Sequence, residues 1–166
     1  MIAAAVVTVS DRASAGVYSD RSGPLAADLL GSHGVTVTAI EVVPDDPAEI
    51  RAAIERALAG DARLVLTTGG TGVGPRDVTP EATRPLLSRE LPGLAEEIRR
   101  RGAAAVPAAV LSRALCGLID RPGHPSVLVV NAPGSPGGVR DTVAVVGPLL
   151  AHLLDQVDGG DHHRPV

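Results

Sequence analysis

The chain has 166 residues and a net charge of −4, a length that suits one domain with a sizeable core. Its apolar runs are short, its one aromatic residue is Tyr18 and it has no long basic run, which argues against a membrane span and against nucleic-acid binding. All fifteen basic residues are arginine and the single cysteine is Cys116, which excludes lysine-dependent phosphate loops, Schiff-base chemistry and an internal disulfide.

Strand-like and helix-like segments alternate along the chain. Continuous apolar runs predict strands at residues 3–9, 35–43, 64–68, 114–119 and 126–131. Capping signals and apolar spacing predict helices at residues 22–32, 47–59, 80–88 and 139–157, another from 91–93 to about 101, and a helical turn at 107–113. This alternation predicts a three-layer α/β/α sandwich with a mainly parallel sheet.

The domain boundary and the location follow from the two ends of the sequence. The first residues run into strand-like sequence without a basic region, so we expect no signal peptide and a cytoplasmic protein. We expect one domain over residues 1–157 and a flexible tail over residues 158–166. In the helix-like segment that ends at about residue 101, Glu96, Glu97 and residues 99–101 predict a solvated face.

The sequence predicts different roles for the adjacent residues Asp45 and Asp46. Asp46 precedes Pro47 and lies three residues before Glu49, the pattern of a helix N-cap with proline at the first helical position. Asp46 is therefore predicted to be structural. Asp45 is left without that duty and becomes a candidate for chemistry at the carboxyl edge of the sheet, where the loops at Ser10, Gly69 and Asn131 should also meet.

The segment after the strand at 64–68 has four glycines within six residues, at 69, 70, 72 and 74. Glycines let backbone N–H groups turn toward an anion, and the helix start at Thr79 would add the positive end of a helix dipole. A structural tight turn is the alternative. A second segment rich in glycine, at 133–138, also precedes a helix and favours a phosphate site.

Three further residues are candidates for binding or catalysis. Asp77 either caps its own turn near Thr79, or holds a magnesium ion together with Asp45 while water and substrate phosphates fill the other positions. Arg113, next to Ser112, can grip a phosphate or carboxylate through two hydrogen bonds, although a surface ion pair would equally explain it. The two-carboxylate arrangement suits phosphoryl or nucleotidyl transfer.

Taken together, these motifs resemble the MogA/MoaB family of molybdenum-cofactor biosynthesis proteins, which is similar to the amino-terminal domain of gephyrin. The resemblance covers nearly the whole chain in the right order. It is carried by these segments: Ser10-Asp11, Asp20-x-Ser22-Gly23, Pro44-Asp45-Asp46, Thr68-Gly69-Gly70-Thr71-Gly72, Arg76-Asp77-Val78-Thr79-Pro80-Glu81-Ala82, Leu91-Pro92-Gly93, Ser112-Arg113-Ala114 and Pro133-Gly134-Ser135-Pro136.

The resemblance implies a molybdopterin-binding-domain-like fold and a molybdopterin adenylyltransferase that uses ATP and magnesium and releases pyrophosphate. By position, Asp45 and Asp77 match the family's catalytic acids. The resemblance implies that the remaining matched positions bind ATP and molybdopterin: Ser10, Asp11, Thr68, Gly69, Gly70, Thr71, Gly72, Ser112, Arg113, Pro133, Gly134 and Ser135. It further implies a homotrimer, with hand-over of the product to a molybdenum-insertion protein.

Two other functions stay open on the sequence. The chain could bind molybdopterin and pass it to a partner without catalysis, as the family's scaffolding relatives do. It could also be a different nucleotide-dependent enzyme with the same fold.

Overall fold

Six strands form one sheet at the centre of the computed structural model, which describes residues 1–160. The strands are β1 (Ile2–Val9), β2 (Val35–Val43), β3 (Leu64–Thr68), β4 (Arg89–Glu90), β5 (Cys116–Arg121) and β6 (His124–Ala132). Their order across the sheet is β2-β1-β3-β6-β5-β4. The four strands from β2 to β6 in that order are parallel, and β5 and β4 are added antiparallel to their neighbours, so the sheet is mainly parallel as predicted.

Helices cover both faces of the sheet. They are α1 (Asp11–Ser14), α2 (Ser22–Gly31), α3 (Pro47–Ala59), α4 (Thr79–Thr83), α5 (Pro92–Ala103) and α6 (Pro136–Val157), with 3₁₀ turns at Arg84–Leu86 and Pro107–Leu111. One core cluster joins the sheet to α2, α5 and α6, and the other joins it to α3 and α4. This is the α/β/α sandwich expected from the sequence, and its central strand β3 is fully buried because both of its faces are covered.

The capping prediction for Asp46 is confirmed. Its Oδ1 accepts hydrogen bonds from the backbone N–H groups of Ala48 and Glu49 at 2.9 and 3.1 Å, and Pro47 begins α3. Three apolar side chains of α3 lie fully buried against the sheet, as the four-residue spacing indicates: Ile50, Ala53 and Ile54.

The predicted helix over 80–88 is wrong in length. The α-helix ends at Thr83, and a single 3₁₀ turn follows because Pro85 has no N–H to continue the helical ladder. The chain then enters β4, a two-residue edge strand that the sequence pattern did not indicate. Arg89 pairs with Leu118, and Glu90 with Gly117, across the antiparallel ladder.

The carboxyl ends of β1, β3 and β6 lie side by side. Thr8 pairs with Thr68, and Thr68 pairs with Ala132, so the segments after these three strands leave the sheet at one edge. The long helix α6 returns from that edge and buries one side in the core, which accounts for its apolar composition.

Among the described residues, no helix has the length and apolar character needed to cross a membrane. The helix α6 ends at Val157, and Asp158 just beyond it forms an ion pair of 2.8 Å with Arg63. The rest of the predicted tail, residues 161–166, lies outside the described residues.

Candidate functional site

Two glycine loops meet at the carboxyl edge of the sheet. The first glycine loop comprises residues 69–74 and the second comprises residues 133–138. The Gly69 N–H donates to the Ala132 carbonyl at 3.0 Å, and the Thr68 hydroxyl donates to the Pro133 carbonyl at 3.1 Å. A Cβ built on Gly134 would lie 3.1 Å from the Gly69 Cα, so the two loops touch directly.

The first glycine loop is tight, and two of its residues require glycine. Gly69 and Gly70 have φ angles of 107° and 64°, which side-chain-bearing residues rarely adopt. A Cβ on Gly69 would collide with the Val9 carbonyl oxygen, and one on Gly70 with the Thr79 hydroxyl. The first glycine loop is therefore a tight turn, which was one of the two alternatives predicted from the sequence. Its backbone also packs against the carboxylates of Asp45 and Asp77.

Asp45 lies beside Gly70 at this edge. Its Oδ2 accepts a hydrogen bond from the Asp11 N–H at 2.8 Å, and in return the Asp45 N–H donates to Asp11 Oδ1 at 3.0 Å. The sequence did not indicate this reciprocal pair, so Asp45 is not as free of structural duty as predicted. Burial raises the pKa of the Asp45 carboxyl, and the negative charges of Asp11 and Asp77 act in the same direction.

Asp77 lies on the other side of the same loop. Its Oδ2 accepts from the Gly74 N–H at 2.8 Å, so Asp77 does cap its own turn, but at Gly74 rather than near Thr79. A Cβ on Gly72 would lie 2.8 Å from this same oxygen, so the carboxylate packs directly against the loop backbone. The two candidate acids thus flank the first glycine loop, and their charges are close enough to interact.

Arg76 links the two acids through Asp11. Its Nε and Nη2 donate to the two carboxylate oxygens of Asp11 at 3.0 and 2.9 Å. The hydrogen bond from the Asp45 N–H, followed by this guanidinium, holds the pKa of the Asp11 carboxyl below its usual value. Asp11 therefore ties Asp45 to the segment that carries Asp77, and it lies outside the clefts described below.

The main cleft, of about 600 Å³, opens between the two glycine loops and α5. Nine of the predicted site residues line it: Gly69, Gly70, Thr71, Gly72, Asp77, Ser112, Pro133, Gly134 and Ser135. Ser112 reaches the wall because its hydroxyl lies 3.4 Å from that of Thr71. The main cleft therefore combines both glycine loops with one of the two candidate acids.

The β1-side cleft, of about 520 Å³, lies on the opposite side of Gly69, Gly70 and Gly134. It is lined by the other candidate acid, Asp45, and by Ser10 and Thr68. The structure thus places Asp45 and Asp77 in adjoining clefts that share the glycine wall. The part of the chain described here has no group of three or more histidine, cysteine or acidic residues that could hold a metal.

Arg113 does not project into the main cleft. Its guanidinium forms an ion pair with Glu81, and it also donates to the carbonyls of Gly72 and Asp77, both at 2.7 Å. The ion pair allowed by the sequence is therefore present, and it fixes the first glycine loop from behind. The α5-side cleft of about 670 Å³ is lined by Arg113, by Ser112 and by several residues between Pro80 and Pro92.

The expected helix dipole belongs to the second glycine loop. The helix α4 behind the first loop has five residues and no side-chain cap, whereas α6 behind the second loop has 22 residues. The Ser135 hydroxyl caps α6 by accepting from the Gly138 N–H at 3.1 Å. The positive end of the long helix therefore borders the main cleft through Ser135, Gly137 and Gly138.

Sequence reasoning missed two residues at this edge. Asp20 accepts hydrogen bonds from Thr8, Ser22 and Gly23 and lines the β1-side cleft; its position two residues before a helix start was the signal. Arg99 was assigned to a solvated face, which is wrong, because it is half-buried and lines the main cleft. Its four-residue spacing from the buried Ala95 could have indicated this.

Comparisons with known proteins point to one family. Residues 5–152 match the family described as Probable molybdopterin binding domain. The chain is 40% identical over 159 residues to a molybdenum cofactor biosynthesis bifunctional protein of Synechococcus elongatus, covering 96% of this chain and 48% of that protein. It is also 40% identical over 154 residues to the molybdopterin adenylyltransferase of Escherichia coli K12, covering 89% of this chain and 76% of that enzyme.

Solved structures agree with the sequence relatives. A molybdopterin biosynthesis protein from Mycobacterium abscessus superposes with a TM-score of 0.86 at 45% identity, covering 95% of this chain and 96% of that one. The tungsten cofactor synthesizing protein MoaB from Pyrococcus furiosus superposes with a TM-score of 0.88 at 34% identity, covering 95% and 97%.

The extent of these matches differs between relatives. The chain spans about half the length of the two bifunctional proteins it matches and 76% to 86% of the curated adenylyltransferases. The same domain thus forms about half of the bifunctional proteins and most of the adenylyltransferases. With its family match, its relatives and its fold in agreement, the chain belongs to the molybdopterin-binding domain family that includes the MogA and MoaB proteins.

Proposed function

We propose that this protein is a molybdopterin adenylyltransferase of molybdenum-cofactor biosynthesis. The observation that carries the proposal is the position of two acids, Asp45 and Asp77, on either side of the first glycine loop. Asp77 lines the main cleft and Asp45 lines the β1-side cleft, which adjoins it. The identity to relatives named molybdopterin adenylyltransferase, 35% to 40% over most of the chain, supports the substrate and the reaction.

The donor chemistry of Asp45 and Asp77 fits a magnesium ion. Each carboxylate has one oxygen engaged by a backbone N–H, and the other oxygen accepts no hydrogen bond from residues 1–160. Burial and neighbouring negative charge raise the pKa of Asp45, so a cation between the acids would relieve their repulsion. Magnesium commonly uses one or two carboxylates and completes its coordination with water and substrate phosphates.

The reaction joins a phosphate oxygen of molybdopterin to the α-phosphorus of ATP. The bond from the α-phosphorus to the bridging oxygen breaks, and pyrophosphate leaves with that electron pair. Bound magnesium would supply the positive charge that neutralises the phosphates and stabilises the transition state. Because such transfer depends mainly on positioning and electrostatics, the protein's task is to hold two phosphate-bearing substrates in line.

The proposed roles of the remaining site residues follow from their positions. Nucleotide phosphates would be bound by the Thr68 hydroxyl and by the backbone of Gly69, Gly70, Thr71 and Gly72. The pterin substrate would be bound by Ser112, Pro133, Gly134 and Ser135. Ser10 would contact a ligand from the β1-side cleft. We propose that Asp11 and Arg113 act by positioning, since Asp11 contacts Asp45 and Arg113 holds the first glycine loop.

The assembly and the location belong to the same proposal. A homotrimer would cover apolar side chains that are more than half exposed in one chain, among them Val106, Val110 and Leu111. Sedimentation analysis tests this state. A cytoplasmic location and hand-over of the product to a molybdenum-insertion protein complete the proposed role.

The test is an assay of pyrophosphate release from ATP and magnesium, with and without molybdopterin. Release only when molybdopterin is present, together with adenylylated product by mass spectrometry, is the expected result. Tight molybdopterin binding by calorimetry without turnover would select the binding-only function instead. ATP hydrolysis in the absence of molybdopterin would select a different nucleotide-dependent enzyme.

A further inference from the structure

Arg99 lies on α5, in the wall that separates the main cleft from the α5-side cleft, and lines both. Arg99 is half-buried, and its guanidinium reaches the backbone of Ser112 and Ala114, just before β5. Burial raises the pKa of the Cys116 thiol to about 12, and the positive charge of Arg99 opposes that rise. The guanidinium therefore lies within electrostatic reach of the protein interior.

The hydrogen bonds of Arg99 leave its charge uncompensated. One nitrogen, Nη1, donates to the carbonyls of Ser112 and Ala114, both at 3.3 Å. Both acceptors are neutral, and within residues 1–160 Arg99 forms no ion pair with a carboxylate. Its Nε and Nη2 likewise donate to no other group in that part of the chain. A guanidinium held by backbone carbonyls keeps a fork of donors for a ligand.

The neighbouring arginines differ from Arg99 in this respect. Each of them is paired with an acidic side chain: Arg84 with Glu90, Arg100 with Glu97, Arg101 with Asp141 and Arg113 with Glu81. Their positive charges are therefore largely neutralised within the protein.

The main cleft needs a cation if it is to bind phosphate. Two acidic residues, Asp77 and Asp141, line it, and Arg99 is the only cationic side chain that lines it within residues 1–160. The start of α6 lines the same cleft through Ser135, Gly137 and Gly138. An anion in this cleft would thus be attracted both by the positive end of the helix and by a guanidinium.

We infer that Arg99 binds a phosphate group of a substrate in the main cleft, which the start of α6 also lines. The inference rests on the proposed function and adds a binding residue from α5 to the two glycine loops. The phosphate belongs either to ATP or to the phosphate monoester of molybdopterin.

The direct test is calorimetric titration of the purified protein with pyrophosphate, the product of the reaction, at several salt concentrations. Arg99→Gln should weaken binding about tenfold to a hundredfold, because hydrogen bonds to charged groups are strong. It should also flatten the salt dependence of binding, because a charge has been removed. Arg100→Gln is the matched control, since Arg100 is the next residue on α5 and is exposed; its affinity and salt dependence should stay unchanged.

Two results would overturn the inference. One is unchanged pyrophosphate affinity in Arg99→Gln together with unchanged KM values for ATP and for molybdopterin. The other is weakened affinity with an unchanged salt dependence, which would mean that Arg99 only positions residues 112–114. Arg99→Met keeps the apolar stem and serves as the uncharged variant if the glutamine variant unfolds, as judged by circular dichroism.

Steady-state kinetics then separates the two sources of phosphate. A rise in KM for ATP alone assigns Arg99 to the nucleotide, and a rise for molybdopterin alone assigns it to the pterin substrate. If the unaltered protein shows no adenylylation but its pyrophosphate binding depends on Arg99, the proposed function fails and this inference stands. If adenylylation occurs and Arg99→Gln leaves both KM values and pyrophosphate binding unchanged, the reverse holds.

Discussion

The two glycine loops look alike in sequence, yet they differ in structure. The first loop has two glycines at positive φ, and the protein's own groups pack against it: the Val9 carbonyl, the Thr79 hydroxyl and the carboxylates of Asp45 and Asp77. In the second loop no glycine has a positive φ. Cβ atoms on Gly134 and Gly138 would crowd Gly69 and Pro133, but one on Gly137 would meet nothing within 4 Å. The first loop is therefore a turn that requires glycine φ angles, whereas the second is a helix start with an open position at Gly137.

Because of this difference, the two loops would have different roles in the proposed site. The first loop brings two acids to the shared wall of two clefts, which suits a metal ion. The second loop offers the positive end of the dipole of a 22-residue helix, which suits a phosphate. Substitutions should therefore affect stability mainly in the first loop, and activity mainly at the acids that flank it.

The largest expected effect is on catalysis at the acids of the first loop. Asp45→Asn and Asp77→Asn should each lower the rate of molybdopterin adenylylation about 100-fold or more, because each removes a charge positioned for the transition state. Asp46→Asn is the matched control, since asparagine caps a helix as well as aspartate and Asp46 lines neither cleft. Full activity in either site variant would remove that acid from the mechanism.

The next largest effect is on folding of the first loop. Gly69→Ala should lower the free energy of unfolding by about 2–5 kcal/mol, because alanine there requires a strained φ and collides with the Val9 carbonyl. Denaturant titration measures the change. A loss below about 0.5 kcal/mol would show that the loop relaxes easily, and would break the contrast between the loops.

In the second loop, removing the helix cap should cost less. Ser135→Ala should lower the free energy of unfolding by about 1 kcal/mol, because the Gly138 N–H loses its side-chain acceptor. Ser135→Asp keeps an acceptor at the same place and should restore the stability. If both variants are equally destabilised, the hydroxyl contributes through something other than the cap.

A smaller effect concerns the stability cost of Asp45 itself. Burial raises its pKa in the folded protein, so the folded state binds more protons than the unfolded state as the pH falls toward the carboxyl range. The ionised carboxylate therefore lowers stability at pH values above that raised pKa. Asp45→Asn should raise the melting temperature slightly at neutral pH.

The gain should disappear as the pH falls below the ordinary carboxyl pKa, where aspartate is protonated in both the folded and the unfolded state. Melting curves measured from neutral to acidic pH test this. A lower melting temperature for the variant at neutral pH would contradict the assignment.

The smallest effect is expected at the open position of the second loop. Gly137→Ala should change the free energy of unfolding by no more than about 1 kcal/mol, in the stabilising direction, because alanine favours helix and its Cβ meets no neighbour. Since Gly137 lines the main cleft, any loss of molybdopterin affinity in this stable variant would place the substrate against the second loop.

The fold could be predicted largely because local patterns and tertiary structure agree. The apolar run at residues 64–68 indicates a buried strand, and the folded chain forms one there. The Asp46-Pro47 pattern indicates a helix start, and α3 begins at that point. The edge strand β4 could not be predicted, since two exposed residues carry no apolar pattern and pair only because β5 lies beside them. Likewise, α4 ends before residue 88 because Pro85 lacks the N–H that would continue the helix.

Most of the predicted site residues meet at one edge of the sheet, but their arrangement could not be predicted. The motifs indicated both glycine loops and both acids because these segments follow strands whose carboxyl ends meet at one edge of a parallel sheet. They could not show that Asp11 and Asp45 exchange hydrogen bonds across 34 residues of chain, or that Arg99 lines the cleft. Contacts between segments distant in sequence leave no local spacing from which to infer them.

The sequence by itself determined the family, the sandwich of parallel strands and helices, and the residues available for phosphate and metal chemistry, because these depend on local patterns and motif order. Only the tertiary structure decided which glycine loop is tightly packed and which carries the helix dipole. It also decided that Arg113 is neutralised while Arg99 is not. Charge compensation and close packing are set by neighbours in space, which the order of residues does not specify.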